Sequence, residues 1–439
     1  MNKSLRINKL INPFNKTISV EGDKSLSIRW VLLSFLSKKK SVAYNLLKSE
    51  DVFSALNCIK KLGAKVKISK DKCNIIGIGL NYKQKENLIL NAGNSGTLGR
   101  LILGLLINYK NKIKLVGDKS LSKRDFSRVT APLKKFGATF SSKKNLPLTM
   151  KGTNKPKSIN YIENKGSAQC KTSIMLAALK SEGVTRIKAK KSRDHTEILF
   201  KYLKIPLKIK KYKKYDIIQI KGVKNIKPLN YKIPGDISSC SFFIVLTILS
   251  EKSKLLIKDV NVNPSRIGII NILKKMGASI KIINKRNYKG EKTADIFVKS
   301  SKNLKAINCP SKYNSSAIDE FLIIFLVAAK SKGISTFRDL AELNQKESPR
   351  LIWGSKILNY MGIRTKLTRN SIKIYGNPNL VIINNIQIKN FLKDHRYFMT
   401  SVIAALTFSG RWKIHNPESI KTSFPSFLKI IRSIGGKIN

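Results

Sequence analysis

Acidic residues are scarce in this chain of 439 residues: 25 Asp and Glu stand against 86 Lys and Arg, a formal charge of +61. Such an excess marks a polyanion-binding face when it is gathered into one stripe. Here the lysines are scattered along the whole length and accompany abundant asparagine and isoleucine. That joint skew is what an AT-rich coding sequence produces, so most of the charge reads as solvated surface. Aromatics, at 8 %, are few for a platform that stacks single-stranded bases. The three histidines and five cysteines (Cys58, Cys73, Cys170, Cys240, Cys309) show no C-x-x-C and no metal-ligand spacing. A disulfide framework and a metal site are therefore not expected, and a reducing compartment is. Long apolar runs are missing too. "FFIVLTIL" (242–249) and "FLIIFLVAA" (321–329) are too short to span a bilayer and read as buried helix or strand, and the first twenty residues lack the apolar core of a signal peptide. The expectation is a cytoplasmic protein with no membrane partner, no specific nucleic acid, no metal and no cofactor.

What is present begins with a core: 42 % hydrophobic residues over this length can fill two domains. One phrase recurs, an amphipathic helix end, a glycine and a short strand. It reads "IKKLGAKVKI" (59–68), "LKKFGATF" (133–140), "LKKMGASIKI" (273–282), "LNYMGIRTKL" (358–367) and "IRSIGGKI" (431–438). A sixth copy, "LFKYLKIPLKI" (199–209), has lost its glycine. The spacing, roughly 70–85 residues per copy, fills the chain with six similar α/β units. Glycine ends each helix because it enters the left-handed conformation without a Cβ clash. The helix expected from Glu50 to Leu62 shows the period, with Val52, Ala55, Leu56, Ile59 and Leu62 on one face.

The chemistry-bearing stretches are basic and sit at helix starts. "VEGDKSLSIRW" (20–30) places Lys24, Ser25 and Arg29 together, the last two four apart and so on one face. "NAGNSGTLGRL" (91–101) is a glycine-rich turn entering a helix, whose small residues let backbone N–H groups approach an anion; no G-K-[ST] follows, so it is no nucleotide P-loop. "GDKSLSKRDFSR" (117–128) offers Lys123 and Arg124, "KGSAQCKTSIM" (165–175) offers Ser167, Gln169 and Lys171, and "KDHRYFM" (393–399) offers Arg396. Ser-Arg pairs open several helices, in "DFSRVTAPL", "NPSRIGII" and "ESPRLI", with a similar look in "KSRDHTEIL". An arginine there joins free N–H groups to make an anion site, though Ser and Pro also simply cap helices. "IPGDISSCSFF" and "SAIDEFL" put Asp236 and Asp319 at element starts, where caps are the bland explanation. In "LNQKESPRLI" (343–352), Lys346 and Arg350 flank Glu347, and Pro349 marks the first turn of a helix. An isolated K-E-x-x-R is ordinarily a solvated charge cluster.

Taken in order, these motifs resemble the 5-enolpyruvylshikimate-3-phosphate synthase family over essentially the whole chain, from "GDKSLSIR" through "GNSGTLGRL", "GDKSLSKR", "GSAQCKTSIMLAAL", "SRDHTE", "PGDISS", "NPSRIGII", "AELNQKESPRL" and "DHR" to "TSFPSF". The resemblance implies an α/β enolpyruvyl transferase fold: six βαβαββ-type units, three per domain, with the active site in the interdomain cleft. One domain then holds 1–19 and 235–439, the other 20–234. It implies a monomeric shikimate-pathway enzyme that moves the enolpyruvyl group of phosphoenolpyruvate to the 5-hydroxyl of shikimate 3-phosphate and that the herbicide glyphosate inhibits. Matching motifs gives Lys24, Ser25, Arg29, Ser167, Gln169 and Ser192 or Arg193 to shikimate 3-phosphate, with Lys24 also reaching phosphoenolpyruvate. Gly96, Arg124, Arg350 and Arg396 fall to the phosphoenolpyruvate side, and Lys346 faces the ligands beside Arg350. Asp319 takes or orients the 5-hydroxyl proton, and Glu347 gives a proton to the methylene carbon and takes one back.

Three positions depart from the family pattern: Pro349 replaces an aspartate, Asn344 replaces an arginine, and Thr422 rather than Lys421 stands where some members carry a lysine. A transferase acting on UDP-N-acetylglucosamine is the nearest alternative; its loop cysteine has no counterpart between Cys73 and Cys170. A basic nucleic-acid-binding protein is the alternative from another class.

Overall fold

Gly63, Gly137, Gly277, Gly362 and Gly435, the glycines of the recurring phrase, all have φ between +81° and +107°. In the first, the Gly63 N–H donates to the Lys60 carbonyl (2.9 Å) and the Ala64 N–H to that of Ile59 (3.0 Å), which closes the helix end. The sixth copy does the same with a lysine: Lys204 has φ +57°, and Ile205 N–H donates to Phe200 at 2.9 Å. The structure is a computed structural model that describes residues 4–81, 86–141 and 144–439.

Six sheets are present among the described residues. In the plainest, strands Leu88–Asn91 and Ile113–Val116 run parallel around helix Gly96–Leu105; helix Ser127–Lys135 then leads to the antiparallel Thr139–Phe140 and Leu148–Lys151. The fourth strand lies between the second and third, which is the βαβαββ unit. Strands Asn160–Glu163, Val184–Lys190, Leu207–Lys211 and Tyr215–Lys221 repeat it. Alternation explains the strand Val184–Lys190: Thr185, Ile187 and Ala189 are buried, while Arg186, Lys188 and Lys190 face water.

Other units borrow a strand from far along the chain. Tyr231–Lys232 pairs with Lys40–Tyr44, Asn15–Ser19 with Lys254–Asn261, and Ser4–Ile7 with Arg411–His415. Among the described residues two sheets have three strands, and beside one of them Asn439 exchanges backbone hydrogen bonds with Arg6.

The chain divides into two units by internal contacts. Unit 1 contains residues 4–21, Pro234–Asn287 and Lys292–Asn439; unit 2 contains Gly22–Ile233 and Tyr288–Glu291. The piece Tyr288–Glu291 has no counterpart in the boundaries read from sequence. Among the described residues each unit has its own apolar core and three sheets. The two apolar runs are helices, Ile237–Leu249 and Phe321–Lys330, buried nearly all round within unit 1. No helix among the described residues is long and apolar enough to cross a membrane.

Candidate active site

In unit 2 the sequence-predicted residues gather at helix starts. Lys24 and Ser25 open helix Lys24–Phe35, whose cap Asp23 accepts from the Leu26 N–H (2.9 Å), and Lys24 Nζ lies 3.0 Å from Asp51. Arg29 lies one turn on and is nearly buried. Its Nε donates to Thr196 Oγ1 (2.8 Å), Nη2 to Thr172 Oγ1 (3.1 Å) and Nη1 to the Ser25 carbonyl (3.0 Å). The guanidinium expected at a ligand is thus also a tie between three helices.

Gly96 is the first residue of helix Gly96–Leu105, capped by Ser95. A Cβ there would come within 2.9 Å of Arg100 Nη1 and 3.0 Å of Arg124 Nη1, so glycine leaves room for two guanidinium groups. Arg124 follows the turn Leu121–Lys123 and donates to Asn94 Oδ1 at 3.3 Å. Arg100 donates to Gln169 Oε1 (2.8 Å), and Gln169 Nε2 donates to Thr97 Oγ1 (3.0 Å). Gly96, Arg124 and Gln169 therefore belong to one cluster, and its centre, Arg100, was missed in the sequence although it ends the glycine-rich motif. Ser167 caps helix Ala168–Ala178 through the Cys170 N–H (3.2 Å). Burial pushes the Glu163 carboxyl above its usual range, against the backbone N–H groups of Ser167, Lys165 and Gly166 and the charge of Lys171. Arg193 is half-buried just before helix His195–Tyr202, and beside it the Ser192 hydroxyl is buried with no hydrogen-bond partner among the described residues.

In unit 1 the remaining predicted residues form a second charged cluster. Asp319 Oδ1 lies 3.3 Å from Lys346 Nζ and 3.5 Å from Arg350 Nη1. Arg350, buried, also donates to Glu347, and its Nε and Nη2 reach Asp394 at 2.9 and 3.3 Å. Arg396 Nη1 donates to the Asp319 carbonyl (3.0 Å) and faces Glu320 at 3.9 Å. Burial works against the Arg350 charge, but the carboxylates of Asp394, Glu347 and Asp319 outweigh it and hold the proton more firmly than usual. Burial likewise raises the Asp394 carboxyl, yet Arg350 and His395 win and hold it below the ordinary carboxylate value, against the push of Glu347.

Several local expectations change. Pro349, expected in the first helical turn, has ψ 77° and stays outside helix Arg350–Tyr360, so Lys346 and Arg350 are not one helical turn apart. They meet at Asp319 instead. Asn344, one of the departures, accepts from the Leu351 N–H (3.1 Å) and serves as the missing cap. Asp236 is a cap, accepting from Ser238 N–H at 2.8 Å; Asp319 is not. Two of the Ser-Arg starts turn their arginine to protein carboxylates: Arg266 to Asp236 (3.1 Å) and Arg350 to Asp394. Asp236 and Asp394 thus supply counter-charge to buried guanidinium groups that would otherwise lack it. Asp394, fully buried, was missed because it reads as an ordinary helix cap, which it also is: it accepts from the Arg396 N–H at 2.9 Å.

Comparison with known proteins gives one answer. The family model described as EPSP synthase (3-phosphoshikimate 1-carboxyvinyltransferase) matches residues 9–431. A 3-phosphoshikimate 1-carboxyvinyltransferase of Ruthia magnifica is 37 % identical over 98 % of both chains. The EPSP synthase structure from Acinetobacter baumannii superposes with a TM-score of 0.86 at 32 % identity, covering 100 % of this chain and 99 % of that one. The enolpyruvyl transferase NikO from Streptomyces tendae, with TM-score 0.79 and 13 % identity over 100 % and 98 % of the two chains, shares the fold.

Proposed function

The chain belongs to the EPSP synthase family, and from that membership we propose how its own side chains divide the work. The reaction joins the 5-hydroxyl oxygen of shikimate 3-phosphate to C2 of phosphoenolpyruvate while the methylene carbon gains a proton. The second half breaks the C2–O bond to phosphate, removes a proton from the same carbon and restores the double bond. Both substrates are multiply anionic, so cations must balance charge as it moves.

Lys24, Ser25, Arg29, Ser167, Gln169, Ser192 and Arg193 hold shikimate 3-phosphate. The Ser192 hydroxyl, buried and without a hydrogen-bond partner among the described residues, supports this. Gly96 and Arg124 receive phosphoenolpyruvate, where the absent Cβ keeps the guanidinium in place. Arg396 and Lys346 balance its charge further, and Arg350 serves chiefly by gripping the acids around it. Asp319 takes the 5-hydroxyl proton. Glu347 serves the methylene carbon in both directions. The observation that carries this reading is the cluster of Asp319, Lys346, Glu347 and Arg350, which sets two carboxylates of different surroundings around one buried guanidinium. The chain works as a cytoplasmic monomer.

Phosphate release with phosphoenolpyruvate and shikimate 3-phosphate tests the assignment, with UDP-N-acetylglucosamine in parallel. Turnover with the first acceptor alone is expected; turnover with the sugar nucleotide alone would replace the reading.

A further inference from the structure

Three consecutive residues at the start of helix His195–Tyr202 are each held by a buried partner from a distant stretch of unit 2. Thr196 Oγ1 accepts from Arg29 Nε (2.8 Å) and lies 2.7 Å from Thr172 Oγ1. Glu197 Oε1 meets Lys171 Nζ at 2.5 Å, with Lys171 almost fully buried. His195 Nδ1 lies 2.6 Å from Glu291 Oε1, and both side chains are wholly shielded from water. Burying an ionisable pair this completely gives little stability, because desolvation offsets the attraction; its better-attested use is to fix one geometry among many.

Glu291 reaches His195 from the tip Tyr288–Glu291, and the tip is closely seated. Gly290 (φ +89°) lies so near Ile198 that a Cβ would come within 2.9 Å of its Cγ2. Lys289 stands over the rings of Tyr202 and Tyr231 at 4.9 and 5.8 Å. The residues thus fixed follow Ser192 and Arg193 with only Asp194 between.

We propose that Glu291 is a positioning residue for the substrate's phosphate: through His195 it fixes the segment from which Ser192 and Arg193 reach that group. This rests on the reading that Ser192 and Arg193 face the phosphate of shikimate 3-phosphate. A displaced segment weakens the grip on that substrate and leaves phosphoenolpyruvate and the proton-transfer groups alone. Glu291→Ala is expected to raise KM for shikimate 3-phosphate about tenfold, since misplacing a binding group by about 1 Å costs up to about a hundredfold. KM for phosphoenolpyruvate and kcat should stay within about twofold. Glu291→Gln, which keeps an oxygen acceptor beside Nδ1, should recover most of the loss; His195→Phe, which removes the same contact from the other side, supplies the readout if the alanine variant fails to fold, with the same rise in that KM expected. Thermal unfolding of the variants reports the structural part separately. An unchanged KM for shikimate 3-phosphate, or equal increases for the two substrates, would overturn the proposal. Arg193→Ala separates the two readings. If it raises that KM while Glu291→Ala does not, positioning alone fails; if it leaves that KM untouched, the phosphate assignment of the segment fails and the proposal with it.

Discussion

Around Arg350 one guanidinium meets Glu347, Asp394 and Asp319, so the working acid shares its cation with two others. Glu347→Gln preserves the shape and a hydrogen bond but removes the proton carrier. Turnover measured by rapid-quench phosphate release should fall about 10²- to 10⁴-fold, with KM for both substrates changed only a few-fold. Asp394 shares Arg350 Nη2 with Glu347 and also accepts from Nε, and its effect is on folding. Its carboxyl is held below the ordinary value, so the native state favours the ionised form. That contribution is complete above roughly pH 5 and is lost as pH falls through the unfolded value near 4 toward the lower native one. Asp394→Asn should cost about 3–5 kcal/mol in urea unfolding at pH 7, because Arg350 is left buried without its main counter-charge. The difference from the native protein should shrink as the pH approaches 3. Lys346, Glu347 and Arg350 were legible because they form one local string. Asp394 was not, since its weight comes from burial and from a partner 44 positions away.

Helix ends were the most legible elements. A glycine that must adopt positive φ leaves a direct mark in sequence, and five copies are enough to find the sixth. Lys204 shows what the mark conceals: the left-handed turn persists without glycine, at the strain a side chain brings. Lys204→Gly should therefore stabilise the protein by about 0.5–1 kcal/mol, the relief of Cβ strain less the extra freedom glycine has when unfolded. A denaturant midpoint that falls would mean the lysine side chain contributes more than its strain. Strand pairing was less legible. Nothing in "YK" at 231–232 announces a partner near residue 43, because the register is set by the core that both strands cover.

The charge of +61 acts on the whole molecule and has no single residue to its name. Both substrates are anions, so the field raises their encounter rate. Between ionic strengths of about 0.02 and 0.5 M, kcat/KM should fall roughly tenfold while kcat changes less than about twofold. A flat profile would show that encounter is not what limits the reaction.

The strands borrowed from the beginning of the chain bear on how the polypeptide is made. As it leaves the ribosome, the stretch from Gly22 to Ile233 carries three sheets' worth of partners and can begin to collapse early. Asn15–Ser19 must wait for Lys254–Asn261, and Ser4–Ile7 for Arg411–His415. Until those partners are made, both strands stay unpaired, a natural foothold for chaperones and a hazard when they are saturated.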